Sequence, residues 1–266
     1  MIVETPVAAT IALVVAVLFL LERAAPLRRA TRPLPGRLLV NAVVGVLAFV
    51  TATAVVRPAA LAVLQRTTGT PIGLLHLVPM PTVLQFVVAV LLLDLTFYWW
   101  HVATHRVPWI WRFHRVHHID PDLDVSTAFR FHFCELVMST AFRVVQVAVI
   151  GPSLAMFAAY ELLFQAATIF HHSNLGMPER LDRLLNAVVV TPRMHGIHHS
   201  QVPDETNSNF SVVFSWWDRL HGSRGPALPQ SQLVIGVAEF TRPEDNRLSK
   251  VLTLPFQRSR APGALP

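Results

Sequence analysis

Thirteen histidines against a single cysteine, Cys134, give this 266-residue chain an unusual set of side chains that can bind a metal. Three histidine motifs stand out: H-V-A-T-H at 101–105, H-R-V-H-H at 114–118 and H-G-I-H-H at 195–199. A fourth element, F-H-H-S-N, covers residues 170–174. Because one cysteine can form neither an intramolecular disulfide nor a cysteine-based metal site, any metal must be bound by histidine with Asp, Glu or Asn.

The spacing within each motif can bring imidazoles together on one face of a helix. Residues three or four positions apart lie side by side, so His101 and His105 can reach a common point. The second and third motifs each contain a doubled histidine, and neighbours on a helix point about 100° apart. One imidazole of each pair can then bind one metal while its neighbour binds a second. The two H-x-x-H-H motifs therefore suit a site for two metal ions.

The number of imidazoles argues against a single zinc ion. A structural zinc takes four protein ligands and a catalytic zinc takes three plus water, whereas the three motifs hold eight histidines. A pair of metal ions with nitrogen ligands, placed at a lipid interface, would serve oxygen activation, and this use favours two iron ions. Two alternatives stay open: a zinc-dependent membrane lipid hydrolase, and a non-catalytic haem- or metal-binding membrane protein. The sequence has no H-E-x-x-H motif, which counts against the usual helical zinc hydrolase.

Carboxylates can fix the orientation of a ligating imidazole by accepting a hydrogen bond from its far ring nitrogen. Asp94 precedes His101 by seven residues, which places it two helical turns away on the same face. Glu135 and Glu161 are similar candidates, and an ion pair with arginine is the alternative role for each. His132 can be a ligand, a partner of a ligand or a residue that shapes a loop.

The composition is that of a membrane protein. Hydrophobic residues make up 53% of the chain and charged residues only 14%, against about a quarter charged in soluble domains. The formal net charge is +6, but no basic run is interleaved with aromatic residues, so nucleic-acid binding has little support. We interpret the excess of arginine as a signal of membrane topology.

Apolar runs predict the membrane helices. Residues 6–21 form the first, and since no basic residue precedes them we expect an uncleaved helix that starts outside. Five arginines between residues 22 and 37 mark a cytoplasmic loop. Further runs at 38–56 and 82–100 approach the ~20 residues that span a bilayer, joined by an outer loop at 57–80 with room for a short interfacial helix. If each of these three apolar runs crosses the membrane once, the histidine-rich region after the third lies in the cytoplasm.

Residues 136–170 are apolar again, but Gly151, Pro152 and Ser153 divide them into halves of about 15 to 17 residues, short for a full span. They form either a hairpin that enters the bilayer and returns, or two tilted spans. We therefore predict an all-α membrane protein with about four transmembrane helices, two or three full spans plus a helical hairpin, and a cytoplasmic histidine-rich helical cap.

The chain divides into three predicted regions. Residues 1–80 hold the N-terminal membrane helices and loops, and residues 81–225 form the catalytic domain. Residues 226–266 form a cytoplasmic C-terminal tail, predicted to be disordered beyond Leu254 because it is rich in Pro, Arg and Ala.

These motifs together resemble the fatty acid hydroxylase/sterol desaturase superfamily of integral-membrane di-iron enzymes. The likeness covers about residues 90–223 and includes D-L-T-F-Y-W-W-H-V-A-T-H, H-R-V-H-H, S-T-A-F-R-F-H-F-C-E, F-H-H-S-N, T-P-R-M-H-G-I-H-H-S and the closing N-F-S-V-V-F-S-W-W-D-R-L-H-G-S. Val102 stands where many members have Arg, and Phe133 where many have Pro. Neither departure removes a ligand.

The resemblance implies two non-haem iron ions held by nine histidines: His101, His105, His114, His117, His118, His172, His195, His198 and His199. Asp94, His132 and Glu135 are the candidates to support them, and His171 and Asn174 are candidates for an additional ligand or its partner.

The implied reaction is hydroxylation, or desaturation, of an unactivated C–H bond of a lipid such as a fatty acyl chain or sterol. O2 is the implied co-substrate. The sequence carries no ferredoxin-like cysteines, flavin motif or haem domain, so electrons must come from a separate donor, a ferredoxin or a b-type cytochrome with its reductase. We expect a multi-pass protein of the bacterial inner membrane, with its active site on the cytoplasmic face.

Overall fold

The computed structural model describes residues 4–67 and 72–257, which are mostly helical and form no β-strand. The long helices are α1 (Glu4–Ala24), α2 (Leu34–Thr51), α3 (Arg57–Thr67), α4 (Thr82–Arg106), α5 (Pro108–His118), α6 (Phe133–Ile150) and α7 (Leu154–His172). Shorter helices follow: α8 (Glu179–Asn186), α9 (Pro192–His198), α10 (Pro203–Thr206), α11 (Trp216–Leu220) and α12 (Leu248–Thr253).

Four helical stretches are long and apolar enough to cross a membrane: Leu34–Arg66, Thr82–Arg106, Phe133–Ile150 and Leu154–His172. The predicted all-α membrane fold with about four transmembrane helices is therefore confirmed. The first apolar run, 6–21, lies within α1 and is helical as well.

The second span continues further than the sequence predicted. A π-helical segment, Ala52–Val56, joins α2 to α3, so that Leu34–Arg66 forms one helix of 33 residues where a loop was expected from residue 57. Pro58 lies two residues after the end of the π segment, and a proline clashes with the carbonyl four residues earlier, which here is that of Ala54 within the segment. The wider π turn relieves that clash without ending the helix. At 1.5 Å per residue the helix is roughly 50 Å long and exceeds the ~30 Å apolar core of a bilayer.

The turn between α6 and α7 reaches the far end of α4. Gly151 ends α6 with a left-handed φ of 70°, and its backbone packs against Gly73, in the segment that leads into α4. Ile150 shares a buried apolar cluster with Leu75 and Leu93. Since α6 and α7 run the length of α4, this packing favours two full spans over a shallow hairpin.

A buried acidic loop, residues 119–124, holds the arginine-rich loop that follows α1. Asp120 accepts hydrogen bonds from Arg37 Nε (2.9 Å) and Asn41 Nδ2 (2.8 Å). Asp124 accepts from Arg23 Nη2 at 2.8 Å. The two loops therefore lie at one end of the helix bundle, so the arginine-rich loop and the histidine-rich region are on the same side of the membrane.

The C-terminal region packs onto this same end. Val251 of α12 and Leu254 are buried against Val116 and Ile119 of the α5 region. The described part of the predicted tail, 226–257, is thus folded against the histidine-bearing segments. The rest of the segment predicted to be disordered, 258–266, lies outside the described residues.

Replacing Asp120 with Asn should destabilise the loop contacts. The carboxylate is fully buried, and removing its charge leaves the Arg37 guanidinium partly uncompensated, at a cost of about 3 kcal/mol. We expect a thermal midpoint several degrees lower, followed by tryptophan fluorescence in detergent. Asp204→Asn, at an exposed position, is the matched control and should leave the midpoint unchanged. An Asp120→Asn protein as stable as this control would contradict the assigned role.

Candidate metal centre

Nine buried histidines converge in two groups at the end of the helix bundle. The five-histidine group consists of His101, His105, His114, His118 and His198. The four-histidine group consists of His117, His172, His195 and His199. Within each group the candidate ligand atoms all lie within 4.8 Å of one another. These nine residues are the ones for which the sequence predicted a ligand role.

Local chain geometry separates the two members of each doubled histidine. His117 and His118 end helix α5, and their ring planes lie 87° apart. His198 and His199 diverge similarly, at 80°. His118 and His198 consequently join the five-histidine group, while their neighbours join the four-histidine group. The helix turn thus divides each pair between two possible ions.

Hydrogen bonds determine which nitrogen of several imidazoles faces inward. Four histidines place Nδ1 against an atom that can only accept: His101 against Phe210 O (2.7 Å), His114 against Glu135 Oε1 (2.7 Å), His172 against Thr168 O (2.8 Å) and His198 against Ser208 O (2.7 Å). Each Nδ1 must therefore carry the hydrogen. In a neutral imidazole this leaves Nε2 with a free lone pair, the form that binds a metal.

In the four-histidine group the inward nitrogens nearly touch. His172 Nε2 lies 2.9 Å from His117 Nε2 and 3.0 Å from His195 Nε2. His199 Nε2 lies 3.1 Å from His195 Nε2. Ligands at right angles around one ion, with bonds of about 2.1 Å, would be about 3.0 Å apart, whereas tetrahedral ligands would be about 3.4 Å apart. The observed spacing matches the former arrangement.

Both groups contain buried nitrogens without a hydrogen-bond partner. In the described part of the chain the five-histidine group has both ring nitrogens of His105 and of His118 without a partner, together with Nε2 of His114 and His198. The four-histidine group has Nδ1 of His117, His195 and His199 without one. Each such buried atom costs about 1–3 kcal/mol if it stays unsatisfied. A concentration of them in one place is explained if a cation completes the site, so the residues fit two metal ions.

Burial also keeps the imidazoles in the state that a metal requires. It lowers the pKa of five histidines of the cap well below the ordinary value, namely His117, His118, His195, His198 and His199. Neighbouring imidazoles lower these pKa values further. The rings are thus neutral at physiological pH and need not release a proton before they bind an ion.

Aromatic side chains enclose the two groups. The Trp111 ring centroid lies 4.9 Å from that of His105, and the Phe210 centroid lies 5.2 Å from it. Phe131 stacks on His117 at 4.5 Å with the ring planes 9° apart. These rings hold the imidazoles in place and limit the access of water.

One non-helical segment, residues 208–214, orients histidines from three helical elements, and we call it the strap. Its alternate carbonyls accept Nδ1–H bonds: Ser208 from His198 (2.7 Å), Phe210 from His101 (2.7 Å) and Val212 from His171 (3.1 Å). The strap therefore positions ligands of α4 and α9 together.

Asp218 holds the strap from behind. Its buried carboxylate accepts hydrogen bonds from the backbone N–H of Phe210 (2.8 Å) and of Ser211 (2.9 Å), and from Ser223 Oγ at 2.7 Å. Burial raises the pKa of Asp218. Sequence reasoning did not assign this residue. The W-D-R-L signature contained it, but its backbone partners have no signal in the sequence.

Asp94 requires a correction. We expected it to orient the far nitrogen of His101, but that nitrogen is taken by Phe210 O. The Asp94 carboxylate instead accepts from Phe214 N (3.1 Å) and Trp217 Nε1 (2.8 Å), and it has no hydrogen bond to a histidine among the described residues. It anchors the other end of the strap, so its effect on the ligands is indirect.

The remaining carboxylate candidates take different roles. Glu135 accepts from His114 Nδ1 at 2.7 Å, the contact by which a carboxylate orients a ligating imidazole. Glu161 instead forms an ion pair with Arg143 at 2.9 Å, away from both groups. The alternative role of an arginine-paired carboxylate therefore describes Glu161.

Three other candidates lie outside the two groups. His132 caps α6, since its Nδ1 accepts from Cys134 N, and its Nε2 donates to Leu252 O at 3.2 Å. His171 lies beside the four-histidine group, with its ring centroid 4.1 Å from that of His195. Asn174 binds the backbone of Arg28 through both atoms of its amide, so it fastens the loop after α1 next to His172.

Comparison with known proteins agrees with this geometry. The sequence model of the fatty acid hydroxylase family matches residues 86–223, just over half of the chain and the part that contains all nine histidines and the strap. The chain belongs to the fatty acid hydroxylase family. No solved structure matches it.

Several curated relatives of this chain have names that state a lipid as their substrate. The chain is 29% identical to the cholesterol 25-hydroxylase of Mus musculus over 62% of its length and 59% of that protein. It is 29% identical to the ornithine lipid hydroxylase OlsE of Rhizobium tropici, over 57% of this chain and 45% of that one. The alkylglycerol monooxygenase of Xenopus tropicalis is 32% identical over 50% of this chain and 29% of its own length. The chain thus spans between about a third and three fifths of these relatives.

Single replacements of neighbouring histidines should remove metal from different groups. His198→Ala removes a candidate ligand from the five-histidine group, and His199→Ala one from the four-histidine group. We expect each to lower the metal bound per protein chain, measured by inductively coupled plasma mass spectrometry. His76→Ala, at an exposed position beyond the other end of α4, is the control. Metal content equal to that of the control in both variants would contradict the assignment.

Asp218→Asn should weaken metal binding without unfolding the protein. One of the two backbone N–H groups then faces an amide NH2 group instead of a carboxylate oxygen, so the strap carbonyls shift. Loss of a partner behind the ligands typically costs 10–100-fold in metal affinity or activity. We expect a loss in this range in a metal-competition titration, with unchanged circular dichroism. The effect should be absent from Asp204→Asn, and an unchanged affinity in Asp218→Asn would show that the strap tolerates the loss.

Proposed function

We propose that this protein is a membrane di-iron oxygenase that hydroxylates an unactivated C–H bond of a lipid. The observation that carries the proposal is the pair of convergent histidine groups, buried at the end of apolar helices in a chain of the fatty acid hydroxylase family. The reaction consumes one O2, two electrons and two protons per C–H bond, and it yields an alcohol and water.

Two iron ions, when bound, supply the redox chemistry that activates O2 for attack on a C–H bond. The five-histidine group would hold one ion and the four-histidine group the other. The strap and Glu135 keep the Nε2 atoms turned inward, and Trp111, Phe131 and Phe210 limit water around them. A nitrogen-only ligand set with rings held by hydrogen bonds is compatible with iron and with oxygen chemistry.

The substrate class follows from the surroundings and from the relatives. Helices α4 and α7 end in histidines of the two groups, at His101, His105 and His172, so a lipid in the bilayer can approach the site along them. The named relatives act on a sterol, an ornithine lipid and an alkylglycerol. We infer an apolar lipid chain or ring as substrate. Hydroxylation is favoured over desaturation because these relatives are named hydroxylases and monooxygenases.

We also propose the orientation and the partner class. The arginine-rich loop and the histidine groups lie at the same end of the helix bundle, and arginine excess is typical of the cytoplasmic side. We therefore place the active site on the cytoplasmic face of a bacterial inner membrane. The two electrons come from a separate protein, a ferredoxin or a b-type cytochrome with its reductase.

The test compares lipids of cells that express the protein with those of cells that express His198→Ala. Under heavy-isotope O2, the unaltered protein should produce lipids that gain one labelled oxygen atom, and His198→Ala should not. A lipid that instead loses two hydrogen atoms would indicate desaturation. Purified protein should contain iron. Zinc with O2-independent ester cleavage, or a haem absorption band with no lipid change, would reject the proposal in favour of a hydrolase or a binding protein.

A further inference from the structure

The arginine-rich loop carries more positive charge than its ion pairs neutralise. Five arginines of this loop and of the adjoining ends of α1 and α2 line a cavity of about 590 Å³: Arg23, Arg28, Arg29, Arg32 and Arg37. Arg23 and Arg37 pair with buried aspartates of the 119–124 loop. The other three side chains form no ion pair with a carboxylate in the part of the chain that the structure describes. Membrane topology requires only that the arginines lie on one side of the membrane. It does not explain why their side chains surround a cavity.

The partners of two unneutralised arginines are uncharged. Arg28 Nη1 donates to Gln230 Oε1 (2.6 Å) and to Pro192 O (3.3 Å), and Arg32 Nη2 donates to Thr241 O at 2.8 Å. Burial lowers the pKa of Arg28 to about 10, which still leaves it charged at physiological pH. Asp122 and Asp124 are the carboxylates that line the same cavity, so its five arginines leave a net excess of positive charge for an anionic partner.

The wall of the same cavity lies directly behind both histidine groups. Ile119 follows His118 in the chain, and Asn174 lies two residues after His172. Gly236 donates its N–H to the carbonyl of His199 at 2.9 Å. Routes of one or two residues, or of a single hydrogen bond, thus join the cavity to candidate ligands in both groups.

Those histidines are nevertheless closed off from the cavity. His118 and His199 are 0% exposed and His172 is 2% exposed. A lipid chain would need an open passage to reach them, whereas an electron can cross a short stretch of packed protein. The position of the cavity therefore suits the delivery of electrons better than the entry of substrate.

We propose that this cavity is the docking surface of a small acidic electron-carrier protein, whose carboxylates face Arg29 and Arg32. The inference rests on the proposed function, which requires two electrons per turnover. The carrier is oxidised twice, by one electron each time, and O2 is the final acceptor. Complementary charge steers such encounters and raises the association rate, and the effect falls with salt.

A second cavity provides the comparison. It has a volume of about 650 Å³ and is also lined by arginines, among them Arg183 and Arg193. Arg183 lies near Glu179 (3.5 Å) and Arg193 near Asp182 (3.8 Å), whereas Arg219 and Arg224, which also line this cavity, donate to uncharged groups. Its lining holds four arginines and two carboxylates, against five arginines and two carboxylates in the first cavity. It also lacks the short connections to the histidine groups, so it serves as the place for control substitutions.

The first test measures binding of a plant-type [2Fe–2S] ferredoxin to the full-length protein in nanodiscs of neutral phosphatidylcholine. The double variant Arg29→Glu/Arg32→Glu should raise the Kd by about tenfold or more, and it should remove the dependence of binding on salt. Arg180→Glu/Arg183→Glu makes the same charge change on the exposed helix α8 and should leave the Kd within about twofold of the parent.

A second pair of variants keeps the test decisive if the charge reversal disturbs folding. In a Cys134→Ser background, Val234→Cys places a thiol on the exposed wall of the cavity and Leu184→Cys places one on α8. Coupling a polyethylene glycol maleimide should block ferredoxin binding in the first variant alone. Reduction of the bound iron by dithionite with methyl viologen should proceed at the same rate in both.

The outcomes separate the docking surface from the proposed function. Equal Kd values for both double variants, or a parent that binds ferredoxin no better than Arg29→Glu/Arg32→Glu, would overturn the docking surface. So would weaker binding to anionic vesicles with an unchanged ferredoxin Kd, because the cavity would then hold a lipid headgroup. Failure of the proposed function shows independently, as absence of iron or of O2-dependent lipid oxidation with dithionite as the reductant.

Discussion

The structure depends on the burial of nine neutral imidazoles whose lone pairs face one another. Such an arrangement is costly by itself, because buried polar atoms without partners are destabilising. Four of the nine rings are held from their other side, by the Phe210, Ser208 and Thr168 carbonyls or by Glu135. A cation in each group would satisfy the nitrogens that face inward. These hydrogen bonds determine the tautomers of His101, His114, His172 and His198 before any ion arrives, so this part of the site is preorganised.

The strap connects the orientation of the histidines to residues in two distant parts of the fold. It takes its position from Asp218 near the C-terminal end of the family region and from Asp94 inside the membrane helix α4. A displacement at either carboxylate would move the carbonyls that face His101 and His198 together. The membrane helix α4 and the cap are therefore connected through this one segment.

The charged residues inside the helix bundle and those at the cap have different roles. Inside the helix bundle, Arg143 pairs with Glu161 and lies over the Phe97 ring at 4.7 Å, so this charge is used within the membrane region. At the cap, the aspartates of the 119–124 loop neutralise only part of the arginine-rich loop. What remains positive surrounds a cavity behind the histidines. The same arginines that indicate topology thus also create a surface that an acidic protein can recognise.

The sequence by itself determined the fold class, the ligand chemistry and the division of each doubled histidine between two groups. These follow from apolar run length and from the helical repeat, which are local properties of the chain. It did not predict that Leu34–Arg66 would remain one helix, because the π turn that accommodates Pro58 has no clear sequence signal. It also proposed Asp94 as a partner of a histidine, whereas the Asp94 carboxylate accepts from Phe214 N and Trp217 Nε1. Only the tertiary structure decided which acceptor His101, His172 and His198 use, because these acceptors are backbone carbonyls, and every residue has one. The choice of Phe210 for His101 depends on how a segment more than a hundred residues away along the chain packs against α4.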